Sequence, residues 1–144
     1  YHGEADWGCV SRVAQAVCVP VIGSGDVSSS QAAARMLSET GAAAVMVARG
    51  SYGNPWVFRD AAAILAGTSP SPRTPREKIA AFRCHVRLLD ATGANLKRAR
   101  SLAGWYLRGM PEAARLRGMV VTCQTLDDYL AVADAAERAL DDVG

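Results

Sequence analysis

Residues 19–56 constrain this chain more than any other stretch. They read VPVIGSGDV, then SSQAAARMLSETG with helical spacing, then AAAVMVARGSYGNPW. Two short apolar runs each end in a glycine-rich turn, with an amphipathic helix between them. Such a β-loop-α-β-loop unit makes the two runs parallel strands, because the connecting helix carries the chain back to the starting edge. Both loops then leave the same, C-terminal, edge of the sheet. The loops after the last two strands of a (β/α)8 barrel commonly bind phosphate, so the segment points to a phosphate-bearing ligand.

The flanking sequence extends this pattern. Asp6 is placed to cap a helix running to about Ala16, with Trp7, Val10, Val13 and Val17 on one face. Val19 to Ile22 and Ala43 to Ala48 read as buried strands. Ser28 to Ser38 reads as a helix with Ala32, Met36 and Leu37 inward and Gly41 at its C-terminal end. Asn54 as N-cap and Pro55 at the first helical position open another helix through Trp56, Phe58, Ala62 and Leu65.

The cluster GTSPSPRTP at 67–75 reads as a linker. Beyond it, Thr74-Pro75-Arg76-Glu77 is a capping box. It starts a helix that buries Ile79, Phe82, Val86 and Leu89, with Arg76, Arg83 and Arg87 on another face. A helix from about Asn95 places Ala99, Leu102 and Tyr106 on one side and Lys97, Arg100 and Arg108 on another. The last helix starts near Thr125 and buries Leu126, Tyr129, Ala133 and Leu140. Only Met119 to Thr122 hints at a further strand. The expected organisation is an α/β part over 1–66, a linker over 67–75 and an all-helical domain over 76–144. Two parallel strands neither close a barrel nor cover both faces of a sheet, so the α/β part reads as the end of a larger domain. The chain opens at Tyr1 rather than Met, so a processed chain or a piece of a longer protein is expected.

Apolar residues make up 50% of the 144 and charged residues 21%, as in a soluble globular protein. No apolar run approaches the roughly 18 residues that span a bilayer, and the opening YHGEADWGCV is no signal peptide. Cys9, Cys18, Cys84 and Cys123 are scattered without a CxxC spacing, which predicts no zinc site; two disulfides are possible in principle, and an Ala-rich chain without an export signal favours reduced cytoplasmic thiols. The net charge of +2 is unevenly spread. Residues 73–118 hold eleven basic and three acidic groups, whereas residues 119–144 hold one basic and six acidic. A basic middle suggests a polyanion partner; a solvated helical face explains it equally well.

The chemistry-bearing residues cluster in the two loops. Gly23-Ser24-Gly25-Asp26 can turn backbone N–H groups and a hydroxyl toward an anion, or be an ordinary βα turn. Arg49, between Ala48 and Gly50, sits where a strand emerges with no acidic residue near it in sequence. Such an arginine either clamps a phosphate or pairs with a carboxylate that the fold brings in. Gly53-Asn54-Pro55 starts a helix whose dipole favours the same anion. His2 is read as a solvated histidine, Glu4 and Asp6 as loop and cap residues, and His85 as a packing residue. The basic residues Lys97, Arg98, Arg100 and Arg108, interleaved with Trp105 and Tyr106, fit RNA contact through phosphates and stacking. The competing reading puts both aromatics in the core, and for Tyr106 it is favoured.

The run YHGEADW, PVIGSGDV, TGAAAVMVARGSYGNPWVF and WYLRGMP resembles the C-terminal part of the bacterial tRNA-dihydrouridine synthases over essentially the whole chain. The family pattern is Y-x-G-x-A-D-W, P-V-I-x-N-G-D, T-G-x-x-x-x-M-I-G-R-x-x-x-G-x-P-W and R-K-H-x-x-W-Y-L. The resemblance implies an FMN-binding TIM (β/α)8 barrel, here its last two strands, followed by a helical domain that cradles tRNA with it. It implies reduction of uridine to 5,6-dihydrouridine by FMN that NADPH has reduced, a flavin hydride going to C6 and a cysteine proton to C5. On this resemblance Ser24, Gly25 and Asp26 hold flavin, and Ala48, Arg49 and Gly50 its phosphate.

Several positions depart from the pattern. Ser24 replaces an Asn and Ala48 a Gly, and R-K-H reads Arg100-Ser101-Leu102. In the family the catalytic cysteine, and the lysine and histidine that contact flavin and substrate, precede the matched region. None of the four cysteines here fits that motif, and no catalytic residue is assigned. The chain alone is therefore expected to be inactive. The alternative reading is a non-catalytic RNA-binding helical module on a degenerate barrel remnant. Exposed barrel edges would also favour a homo-oligomer.

Overall fold

A computed structural model describes residues 3–142 and divides the chain into two compact units, 1–71 and 72–144. His2 lies outside the described residues. In the first unit the order is α1 (Trp7–Ala16), β1 (Ile22–Gly23), α2 (Ser30–Thr40), β2 (Ala44–Val45), a 3-10 turn (Arg49–Ser51) and α3 (Val57–Leu65). The strands pair in parallel, Ile22 opposite Ala44 and Gly23 opposite Val45. The Met46 amide extends the ladder by donating to the Gly23 carbonyl at 2.8 Å.

Caps set most of the boundaries. The Asp6 carboxylate accepts from the Gly8 amide, and the Ser29 hydroxyl accepts from the Ala32 amide. Gly41 ends α2 in the left-handed region at φ 72°. The expected helix at 28–38 is thus shifted two residues onward, because Ser29 caps it. The expected start at Asn54-Pro55 is also corrected. Those residues form a turn, in which the Val57 amide donates to the Asn54 carbonyl at 3.3 Å, and α3 begins at Val57.

The strands are shorter and more exposed than their apolar sequence suggests. One face of the sheet packs on α2: Val45 and Val47 join a core of Val27, Ala33, Met36 and Ala61. A Cβ on Gly23 would stand 2.6 Å from the Met36 sulfur, so glycine is what lets α2 lie on β1. The opposite face carries Ile22 and Met46, which are 66% and 54% exposed, and Val19 before β1 is 67% exposed. The reading of Val19 to Ile22 and Ala43 to Ala48 as buried strands is therefore corrected. A parallel strand is buried on both faces only when helices and neighbouring strands cover it, and among the described residues this sheet has two strands. For the same reason Val13 and Val17 on the apolar side of α1 remain exposed.

The described elements of the second unit are helical: α4 (Pro75–Ala91), a 3-10 turn (Leu96–Arg98), α5 (Ala99–Tyr106), α6 (Ala113–Thr122) and α7 (Leu126–Asp141). Met119 to Thr122 belongs to α6 and not to a strand; Val120 on it is buried in a helix-helix core. Capping boxes at Thr74–Glu77 and Thr125–Asp128 start α4 and α7. Ile79, Phe82, Val86, Tyr106, Leu116, Tyr129 and Val132 fill the core, with the Phe82 and Tyr106 rings 5.7 Å apart. His85 Nδ1 lies 3.2 Å from the Tyr106 hydroxyl. Burial holds its imidazole below its ordinary pKa.

Two stability predictions follow from this packing. The folded-state pKa of His85 is depressed, so its contribution is complete above the ordinary value of 6.5 and falls as pH drops below it. The urea midpoint of the second unit should decline between pH 7.5 and 5.5, and less steeply in His85→Gln. Gly118 in α6 has nothing within 4 Å of where a Cβ would stand. Gly118→Ala should therefore raise stability by about 0.5–1 kcal/mol, measured by urea unfolding at pH 7.5.

Candidate phosphate site and basic helical surface

The first loop leaves β1 as Ser24-Gly25-Asp26-Val27. Gly25 and Asp26 both have positive φ, 125° and 50°. Val27, 5% exposed, anchors the loop in the core. The Gly25 carbonyl accepts from the Trp7 indole N–H at 3.0 Å, and Asp26 Oδ2 accepts from the Ala5 amide at 2.7 Å. These two bonds tie the segment before α1 to the loop. Among the described residues the amides of Ser24, Gly25 and Asp26 donate to no backbone or side-chain acceptor. Consecutive amides in such a turn form an anion-binding concavity.

The second loop leaves β2 as Ala48-Arg49-Gly50 and crosses the first. A Cβ on Gly50 would stand 2.3 Å from the Val27 carbonyl oxygen and 2.9 Å from Ser28 Cα. No side chain fits there, so Gly50 permits this close approach of the two loops. The Arg49 side chain is 82% exposed. The carboxylate left open by the sequence is Asp26, whose Oδ1 lies 4.0 Å from Arg49 Nη2. A pair that long and that open to water is weak. Ser24, Gly25, Asp26, Ala48, Arg49 and Gly50 are thus gathered at one edge of the sheet. The cluster fits a phosphate ester: unpartnered amides on one side and an exposed guanidinium on the other. The Gly53-Asn54-Pro55 element enters as a turn before α3 and supplies no helix N-terminus of its own.

In the second unit the sequence-level charge asymmetry resolves into ion pairs. Arg76 pairs with Asp141, and Arg83 with Asp134 at 2.5 Å and Glu137 at 2.6 Å. Burial works against the Arg83 charge, yet the two carboxylates raise its pKa overall. The acidic α7 therefore neutralises much of α4, a pairing hidden in sequence separations that run from 51 residues (Arg83 to Asp134) to 65 (Arg76 to Asp141). Arg100, one of the four expected RNA contacts, is half-buried. Its Nε and Nη2 donate to the Cys123 carbonyl at 3.3 and 2.7 Å, at the C-terminal end of α6. Its charge also opposes the upward push of burial on the Cys123 thiol and the Tyr129 hydroxyl.

Lys97, Arg98 and Arg108 are exposed, and Arg108 lies over the Trp105 ring, 4.4 Å from its centroid. Trp105 is 38% exposed, whereas Tyr106 is 2% exposed and belongs to the core. Sequence reasoning missed the inward engagement of Arg100, because its acceptor is a carbonyl 23 residues away. Among the described residues no group of His, Cys, Asp or Glu could hold a metal ion, and no helix is long and apolar enough to cross a membrane. The four cysteines are unpaired thiols.

Two variants test the geometry of these sites. Arg100→Ala leaves the Cys123 carbonyl without its charged donor and should cost about 1.5–3 kcal/mol, read by urea unfolding of the chain. Gly50→Ala forces the loops apart and should cost about 1–3 kcal/mol, read in the same way.

Comparison with known proteins leads to one family. A family model for dihydrouridine synthases matches residues 1–142. The chain is 35% identical to a probable tRNA-dihydrouridine synthase of Mycobacterium leprae, covering 89% of this chain and 35% of that protein. It is 32% identical to tRNA-dihydrouridine synthase B of Xanthomonas axonopodis pv. citri, covering 92% and 41%. With tRNA-dihydrouridine synthase B of Vibrio vulnificus it shares 33% identity over 99% of this chain and 45% of that one. The chain thus spans less than half the length of these relatives, and it belongs to the dihydrouridine synthase family.

Proposed function

We propose that this chain provides the flavin-phosphate end of a TIM barrel and the RNA-contacting helices of a flavin-dependent tRNA-dihydrouridine synthase. The observation that carries the reading is the crossing of the two loops at Gly50, which sets the amides of Ser24–Asp26 beside Arg49. In this reading β1 and β2 are the last two strands of the barrel, and Ile22 and Met46 face its interior. Ser24, Gly25 and Asp26 hold the flavin. Ala48, Arg49 and Gly50 hold its phosphate. When bound, FMN reduced by NADPH supplies the hydride that converts uridine to 5,6-dihydrouridine in tRNA. This chain's residues bind and orient the cofactor and dock the RNA, and in this reading the proton donor is not among them.

An RNA substrate favours a cytoplasmic enzyme. Alone, the chain is expected to be inactive and to self-associate through the open edges and exposed apolar face of its sheet. Sedimentation of the chain should reveal concentration-dependent association, and a monomer at high concentration would exclude it.

The direct test replaces the matching C-terminal part of the Vibrio vulnificus relative with this chain. The purified chimera should carry FMN, visible as flavin absorbance. Arg49→Ala should lower retained flavin about tenfold or more, from loss of a charge-assisted pair worth about 1.5–3 kcal/mol. A colourless chimera that still binds tRNA would favour the non-catalytic RNA-binding module instead.

A further inference from the structure

In α5 and the turn before it, the exposed polar and aromatic residues fall in one stripe. Lys97, Ser101, Trp105 and Arg108 follow at spacings of four, four and three, and Arg98 stands three before Ser101, so they share one helical face. All five are exposed, whereas Ala99, Ala103, Tyr106 and Leu107 on the other side are buried. From 97 to 108 the stripe is about 16 Å long at helical rise. Gly104 lies on the same side, and a Cβ there would meet nothing within 4 Å, so no packing explains a glycine in mid-helix.

The centre of the stripe is the Trp105–Arg108 pair, 4.4 Å from ring centroid to guanidinium. A ring 38% exposed carrying a cation at this distance is a flat, positively charged platform. Among the described residues no carboxylate pairs with Lys97, Arg98 or Arg108, in contrast to Arg76, Arg83 and Arg115. A flat cationic platform flanked by unneutralised cations matches an unpaired base with a phosphate on either side. A duplex offers phosphates but keeps its bases stacked internally. An acidic peptide offers charge without a ring to stack.

We propose that the Trp105–Arg108 platform takes an unpaired nucleobase of bound RNA, with Lys97 and Arg98 on the adjoining phosphates. This rests on the reading that the helical unit docks RNA and specifies which structural element of the RNA meets this face. Arg100 takes no part, because its guanidinium is held on the Cys123 carbonyl.

The test is fluorescence anisotropy of the 144-residue chain with labelled single-stranded oligouridylate and with an RNA duplex of equal charge. The single strand should bind more tightly, and Trp105→Leu should weaken it about tenfold while leaving duplex affinity and salt dependence unchanged. Trp105→Phe keeps a flat ring and should restore most of the loss. Lys97→Gln should weaken both RNAs alike with a shallower salt slope. Circular dichroism of each variant checks that the helices persist. Unchanged single-strand affinity in Trp105→Leu, or equal competition by polyglutamate, would overturn the platform while leaving RNA docking intact. No binding of either RNA at low salt would overturn both.

Discussion

The close crossing of two βα loops governs what this chain can do. Gly23 lets α2 settle on β1 through Met36, which aligns the strands in parallel and brings their C-terminal ends level. The loops that leave those ends then touch where Gly50 meets the Val27 carbonyl. Val27 is buried, so the contact is fixed from below by the core. Unpartnered amides and the exposed Arg49 end up side by side because of that contact. Asp26 belongs to the same arrangement: it takes the Ala5 amide with one oxygen and leaves the other within 4.0 Å of Arg49. It fixes the entering segment more firmly than it neutralises the arginine.

Charge is distributed by a comparable logic in the helical unit. The acidic α7 is matched to α4 through Arg76 and Arg83, and Arg100 serves the end of α6. The cations that remain on the face of α5 gather around one exposed tryptophan. Formal charge along the sequence therefore overstates the basic surface, and its location is decided by which arginines find carboxylates or carbonyls within their own unit.

Much of this was legible in the residues. Capping boxes at Thr74 and Thr125, the Asp6 cap and the Gly41 end each act within one turn, so spacing alone reveals them. The gathering of Ser24–Asp26 and Ala48–Gly50 followed from parallel topology. Other features depend on distant partners. The strand burial expected for Val19 to Ile22 fails because no second layer covers Ile22 and Met46 among the described residues. The two-residue delay of α3 reflects a turn that competes with the Asn54 cap. The inward turn of Arg100 needs a carbonyl 23 residues away, which no local pattern encodes.

The most direct measurement is a crystal structure of the chimera with FMN bound. The account predicts the flavin phosphate within hydrogen-bond distance of the Ser24–Asp26 amides and of the Arg49 guanidinium. A phosphate held elsewhere, with the two loops crossing at Gly50 as described, would contradict it.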